Sequence, residues 1–396
     1  MMKPKVLYLL SGRSFSSKNV GRKIYEVISV WKRLGIELDV QYGRDINGVN
    51  GDHHDYGNQK HYNAAFRKKG FLKMFINSAS EFKDIIHNKR LFSKIKRKYL
   101  KNDLDLIWER SSRLHSAGLK LARIKNVPFV LEWKDHLVDY NYSLFKWYAN
   151  YIEKFKLEKA DYVIVESHVL RQELIKQGVH SDKIKVALNG VNPKEFKTDI
   201  LNGNKLKLKL GINKNNTVIG YLGSYAFYHD TKVLIKTAKL ILEKVNHINF
   251  VLVGNGKDFN KCKSLAEEYN LFDKGLLMLD GVNKEEVPNY LSFMDITVLP
   301  GSTNIICPIK IMEYMAAETA VLAPDYFCNK EVIENGINGI LFEPGNSVDL
   351  SEKIMDLVQD MKKRKEIGVK ARKYVSENLV WEQTWGKVLL DIIKKT

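Results

Sequence analysis

The chain has 396 residues, more than one ordinary core accommodates, so two domains are expected. Apolar residues make up 44% and charged residues 28%, without low-complexity tracts, which excludes an extended disordered protein. The net charge of +18 implies an anionic partner such as nucleic acid, acidic lipid or a phosphorylated substrate, and the three cysteines (Cys262, Cys307, Cys328) lack disulfide-framework or zinc-site spacing, which fits a reducing cytoplasm.

The first apolar run, Lys5 to Leu10, is too short for a signal-peptide core, and no run approaches the roughly 20 residues that span a bilayer. It reads instead as the first of a series of short strands: Val6 to Leu10, Leu38 to Tyr42, Leu106 to Glu109, Phe129 to Leu131 and Tyr162 to Glu166. Amphipathic stretches lie between them, among them Gly21 to Arg33 and Tyr151 to Lys159. Residues 61–102 mix Lys and Arg with Phe, Leu, Ile and Met at helical spacing, as in FRKKGFLKMF and NKRLFSKIKRKYL. Such a segment can lie on an anionic membrane with its apolar face inserted, or pack that face on its own domain and solvate its lysines.

The turn-rich Asn189-Gly190-Val191-Asn192-Pro193 marks a hinge. A second strand series follows: Thr217 to Tyr221, Asn249 to Val253, Leu276 to Leu279, Ile296 to Leu299, Ala320 to Ala323 and Gly339 to Phe342, with helices Thr231 to Lys244 and Pro308 to Ala317 among them. Two βα series in tandem predict two parallel sheets, 1–190 and 191–375. The last helix, Trp381 to Lys394 within 376–396, is expected to cross back onto the first domain.

In open α/β sheets ligands bind beyond the carboxyl ends of the strands. After the first strand comes a small-residue loop around Gly12 leading into a helix whose N-terminus can face an anion. Gly254-Asn255-Gly256 lacks the third glycine of a dinucleotide fingerprint and reads as a βα turn. The informative stretch is PGSTNIICPIKIMEYMAAETAVLAPD, residues 300–325. Pro308 suits a first-turn position. Lys310 and Glu313 lie three apart on one helix face, where a cation and backbone N–H groups can hold a diphosphate and a carboxylate can accept from a ribose diol; the same spacing also makes an ordinary surface ion pair.

CPIKIMEYMAAETAVLAPD resembles the donor-site signature Pro-x-Lys-x-x-Glu-Tyr-Met-Ala-Ala of family 4 glycosyltransferases. Further similar places are Trp108-Glu109-Arg110-Ser111, Leu131-Glu132-Trp133-Lys134-Asp135, residues 183–191, Gly220-Tyr221-Leu222-Gly223-Ser224 and Val253-Gly254-Asn255-Gly256, so the resemblance covers nearly the whole chain. It implies an α/β protein of GT-B fold, two Rossmann-like parallel-sheet domains facing a central cleft, with acceptor bound by the first and nucleotide-sugar donor by the second. It implies that Glu313, as the second glutamate of the family's Glu-x7-Glu pattern, holds the donor ribose, and it leaves Ile305 where other members carry the first. Aligned on Gly223, Ser224 and His229 stand where many members have an Arg and a Lys for the phosphates, so Lys310 is expected to carry the cationic load, helped by His229 if protonated. Backbone groups from Asn304 to Cys307 are expected to cradle the sugar, Pro308 and Ile309 to belong to the same donor site, and Gly12 to approach the donor phosphate. Asp135 is expected near the acceptor hydroxyl as a candidate catalytic base, with Lys310 and His229 as the other catalytic candidates, and Glu109 with Arg110 is expected to form a buried ion pair.

The function implied is transfer of a hexose, with retention, from a UDP- or GDP-linked donor to a cell-surface glycan or lipid-linked precursor, without metal or other cofactor. The partners expected are the nucleotide-sugar, the acceptor and an anionic membrane surface; the protein is expected to be cytoplasmic, peripheral to the inner face of the cell membrane, and nucleic acid is not expected. Two alternatives stand beside it: a nucleotide-sugar epimerase on the same fold, and a basic membrane- or RNA-associated interaction protein whose transferase site has decayed.

Overall fold

A computed structural model describes residues 3–18, 20–45, 71–110, 112–134 and 143–395. Asp135, Ser111 and the first part of the basic segment, 61–70, lie outside the described residues. The chain divides into two compact units: Met1–Ala187 with Trp385–Thr396, and Leu188–Thr384.

The first unit holds a six-stranded parallel sheet of β1 (Lys5–Leu10), β2 (Glu37–Tyr42), β3 (Leu106–Arg110), β4 (Phe129–Glu132), β5 (Tyr162–Val165) and β6 (Ile184–Val186), in the order β2-β1-β3-β4-β5-β6. Its crossovers carry α1 (Arg22–Arg33), α2 (Phe71–Tyr99), α3 (Ala117–Lys125), α4 (Lys146–Lys159) and α5 (His168–Lys176). In α1, Ile24, Val27, Val30 and Trp31 recur at helical spacing and are buried, which turns that stripe to the sheet. The central strands β1, β3, β4 and β5 are buried nearly throughout, as a parallel sheet covered by its crossovers requires, while the edge strands β2 and β6 are mostly half-buried.

The second unit begins with α6 (Ile200–Lys209) and repeats the plan. Its strands are β7 (Thr217–Leu222), β8 (Ile248–Val253), β9 (Leu276–Leu279), β10 (Ile296–Val298), β11 (Ala320–Pro324) and β12 (Ile340–Phe342), in the order β12-β11-β10-β7-β8-β9, all parallel. The helices between and after them are α7 (Thr231–Leu242), α8 (Phe259–Glu268), α9 (Val287–Leu291), α10 (Ile309–Ala316), α11 (Phe327–Lys330), α12 (Ser347–Gln359) and α13 (Met361–Asn378). Strand order reverses between β7 and β10, so the crevice at their carboxyl ends is the topological switch point.

Where the chain passes from the first unit to the second, Val191 N–H donates to Leu379 O at 2.8 Å and Val191 bridges Val380. Gly190 sits against Trp381, whose ring a Cβ would meet at 3.0 Å. A π-helical turn, Glu382–Gly386, then returns the chain to the first unit, where it ends in α14 (Lys387–Ile393). There Trp385 is fully buried: its carbonyl accepts from Trp31 Nε1–H at 3.2 Å, and the Lys23 ammonium lies 3.8 Å from its ring centroid.

Candidate functional site

The loops after β7 and β10 flank the switch point of the second unit, and they converge on one lysine. Lys310 stands in the first turn of α10, whose N-cap is Pro308 in extended conformation; the helix therefore starts one residue later than the sequence pattern suggests. Its alkyl chain crosses Gly223: a Cβ there would lie 2.2 Å from Lys310 Cε, so the position excludes any side chain unless the lysine moves. The Lys310 ammonium is 3.3 Å from His229 Nε2, and His229 Nδ1 is 3.1 Å from Gly301 O. Because a carbonyl only accepts, Nδ1 carries the proton and Nε2 accepts from the ammonium.

His229 is 3% exposed. Burial, and secondarily the Lys310 charge, lower its pKa to about 4, so it is neutral near pH 7. The help expected of His229 is conditional on its protonation; here the ring is neutral, Nε2 accepts from Lys310, and the positive charge is the lysine's.

Close backbone packing fixes the surrounding loops. A Cβ on Gly254 (φ 152°) would sit 1.8 Å from Gly223 O, and one on Gly256 (φ 157°) would strike the Tyr225 backbone at 2.6 Å. A Cβ on Gly301 would meet Asp230 Cβ at 2.8 Å, and Asp230 itself takes a left-handed conformation (φ 41°) at the start of α7. Tyr314 ties α10 to β7: its hydroxyl donates to Leu222 O at 2.8 Å and accepts from Leu222 N–H at 2.9 Å. Buried Asn189 donates through Nδ2 to Cys307 O at 3.1 Å, which holds the loop leading into α10. In that loop Asn304 is exposed and Ile305 half-buried.

The structure thus brings Gly223, His229 and Lys310 into contact. Pro308 and Ile309 stand at the head of the same helix, Asn304 precedes them, and Glu313 is half-buried on its next turn. Ser224 is exposed beside Gly223, its carbonyl taken by Tyr221 OH at 2.7 Å. Gly301, Asp230, Tyr314 and Asn189 were not singled out by sequence reasoning for these contacts; each acts between segments distant in the chain, although Gly301, Tyr314 and Asn189 fell inside the quoted stretches.

In the first unit Gly12 is buried in the loop after β1, at the switch point between β1 and β3, where a Cβ would come 2.5 Å from Ser112 Oγ. Arg110 does not pair with Glu109. Neighbours on a strand point to opposite faces, and Arg110 reaches Glu132 instead. Glu132 also accepts from Tyr8 OH (2.9 Å) and Trp108 Nε1–H (3.2 Å), and lies 3.3 Å from Lys23, which bridges on to Glu166 at 2.6 Å. Burial alone would raise Glu132, yet Arg110 and Lys23 outweigh it and hold the carboxyl below its usual range, while burial brings Lys23 down to about 8. Glu109 serves the other face, accepting from Gly118 N–H at 3.0 Å at the start of α3.

The basic helix α2 also differs from the membrane-inserted expectation along its second half. Leu91, Ile95 and Tyr99, at helical spacing, are buried in the first unit, and Tyr99 OH donates to Asp39 at 2.6 Å, so that apolar face serves its own domain.

Against this geometry, residues 20–195 match the family described as Glycosyltransferase Family 4, and residues 203–374 match Glycosyl transferases group 1. The chain is 26% identical over 278 residues to the N,N'-diacetylbacillosaminyl-diphospho-undecaprenol alpha-1,3-N-acetylgalactosaminyltransferase of Campylobacter jejuni, covering 67% of this chain and 71% of that protein. It is 23% identical over 253 residues to the UDP-Gal:alpha-D-GlcNAc-diphosphoundecaprenol alpha-1,3-galactosyltransferase of Escherichia coli, covering 61% of this chain and 63% of that protein. It spans 62% and 56% of the length of two uncharacterized glycosyltransferases of Methanocaldococcus jannaschii. Among solved structures, Anabaena HepE in complex with UDP superposes with a TM-score of 0.73 at 18% identity, over 98% of this chain and 99% of that one. Two tandem Rossmann-like parallel sheets of this kind make up the GT-B fold, and the chain belongs to the family 4 glycosyltransferases.

Proposed function

We propose that the protein is a retaining glycosyltransferase that moves a hexose from a UDP- or GDP-linked donor to a cell-surface glycan or its lipid-linked precursor, working at the cytoplasmic face of a membrane. The observation that carries this reading is the Lys310 ammonium, oriented by neutral His229 across Gly223 at the head of α10. A helix N-terminus already attracts phosphate through its backbone N–H groups, and a fixed lysine beside it supplies the countercharge that a departing diphosphate needs. In this reading Glu313, one turn on, accepts from the donor's ribose diol. No divalent ion is required in this reading. The leaving phosphate takes the acceptor proton in a front-face displacement, so the chain contributes positioning and charge stabilisation, with Asp135 orienting the acceptor hydroxyl.

The acceptor class is supported by the named activities of the Campylobacter and Escherichia relatives, both on diphospho-undecaprenol acceptors. Among the described residues no helix is long and apolar enough to cross a membrane, so the membrane position proposed is peripheral.

Thermal shift with UDP, GDP and their sugar conjugates tests the donor site. One nucleotide series should stabilise the protein with and without chelator, and Lys310→Ala and Glu313→Ala should each weaken its binding at least tenfold, about 1.4 kcal/mol. Stabilisation unchanged in both variants would remove the site from α10, and stabilisation abolished by chelator would remove the metal-free reading.

A further inference from the structure

Most of the large apolar side chains are inside, but six exposed ones gather on two helices of the first unit. Phe75 (51% exposed), Ile76 (40%) and Phe82 (53%) lie on the first half of α2; Leu144 (56%), Trp147 (71%) and Tyr151 (60%) lie on α4 or just before it. The two sets are joined where the Phe82 and Phe145 rings stack, 6.4 Å apart at 24°. Tyr151 stacks in turn on Phe155 at 6.3 Å.

Trp147 and Tyr151 lie apart from the residues that α4 buries. Helix α4 buries Ala149, Ile152 and Leu157 on its inward side, so Trp147 and Tyr151, four apart, form a second, outward stripe. Helix α2 buries Leu91, Ile95 and Tyr99 in its second half, while Phe75, Ile76 and Phe82 are exposed along its first. An amphipathic surface helix ordinarily has one apolar face; α4 has two.

The chemistry of the outward face selects its occupant. Lys83, Lys146 and Lys154 are exposed among the apolar residues, and α2 continues into exposed Lys89, Arg90 and Lys96. Tryptophan and tyrosine favour the boundary between hydrocarbon and water, and lysine stems cover apolar surface while the ammonium reaches outward. Aromatic anchors interleaved with cations match an anionic bilayer, whose headgroups take the charge while the rings enter the acyl boundary. We propose that this aromatic and basic face of α2 and α4 seats the first unit on an anionic lipid surface, which brings the enzyme to a membrane-held acceptor. The proposal rests on the reading of a lipid-linked acceptor, and it differs from the insertion of α2 alone because the anchors are chiefly those of α4.

Trp147 makes the test direct, because the other five tryptophans of the chain are buried. The full-length protein is mixed with vesicles of phosphatidylcholine alone, or of equal phosphatidylcholine and phosphatidylglycerol, without any acceptor. Expected are co-sedimentation with the anionic vesicles that weakens in salt, quenching of tryptophan emission by brominated acyl chains, and at least tenfold weaker vesicle binding for the Trp147→Ala/Tyr151→Ala double variant with its nucleotide-induced thermal shift retained. Absence of anionic-vesicle binding overturns the proposal, as does binding that neither quenches tryptophan nor responds to the double variant. A dimer in sedimentation velocity that the same variant dissociates, without vesicle binding, would overturn it in favour of a second copy on this face. Vesicle binding as expected, with no transfer to any lipid-linked acceptor, would refute the acceptor reading and leave the surface standing.

Discussion

His229 shows how a titratable side chain can serve a charged site by staying uncharged. Its Nε2 can accept from Lys310 only while deprotonated, and burial favours that form. Its folded pKa of about 4 lies below the unfolded value of about 6.5, so the folded state binds fewer protons between them. The stability it contributes is complete above pH 6.5 and is lost as pH falls toward 4. Urea unfolding should show the wild type losing more stability between pH 7 and pH 4 than His229→Gln, by on the order of 3 kcal/mol. Parallel pH profiles would mean that the ring is not held neutral. His115, also buried and lowered, remains in both proteins and cancels in the comparison.

At the scale of elements, the site is a helix aimed by a strand. Tyr314 makes two bonds with the main chain of Leu222, so the end of β7 and the body of α10 move together, and with them Gly223 and Lys310. Tyr314→Phe keeps the ring and leaves a buried N–H and C=O without that partner, at a cost of about 1–3 kcal/mol. We expect a lower Tm together with weaker nucleotide binding, since α10 is freed from β7. A lower Tm with unaltered affinity would show that the helix is aimed by packing alone. Much of this element plan was legible beforehand, because apolar strands at regular intervals and the Pro308-to-Ala317 pattern report local periodicity. The short strand β6 escaped because Ile184-Lys185-Val186 alternates over only three residues. The partner of Arg110 escaped for another reason: strand alternation rules out Glu109, but only the register of β3 against β4 brings Glu132 opposite. Gly301 and Asp230 leave no local signature, since their backbone approach exists only once β7 and β10 lie side by side.

At the scale of the molecule, the chain folds one unit, builds the second, and returns to complete the first. Trp385 is the keystone of that return, buried against Trp31 and Trp108, with ring centroids 6.1 Å apart in the latter pair. Beneath it lies the network of Lys23, Arg110, Glu132 and Glu166, in which Arg110 and both carboxylates are buried and the Lys23 side chain is 11% exposed. A buried ionic set of this kind is stable only while water is excluded and every charge keeps its partner. Trp385→Ala removes a large buried ring and the aromatic face over Lys23, which should destabilise the first unit by about 3–5 kcal/mol. The donor residues belong to the other unit, so nucleotide binding should survive. Hydrogen exchange separates the two effects: amides of β1, β3 and α1 should exchange faster in the variant while those of β7, β8 and α10 keep their rates. Acceleration spread evenly over both sheets would instead mean that the units unfold as one, and that the returning segment stabilises the whole chain rather than the domain it completes.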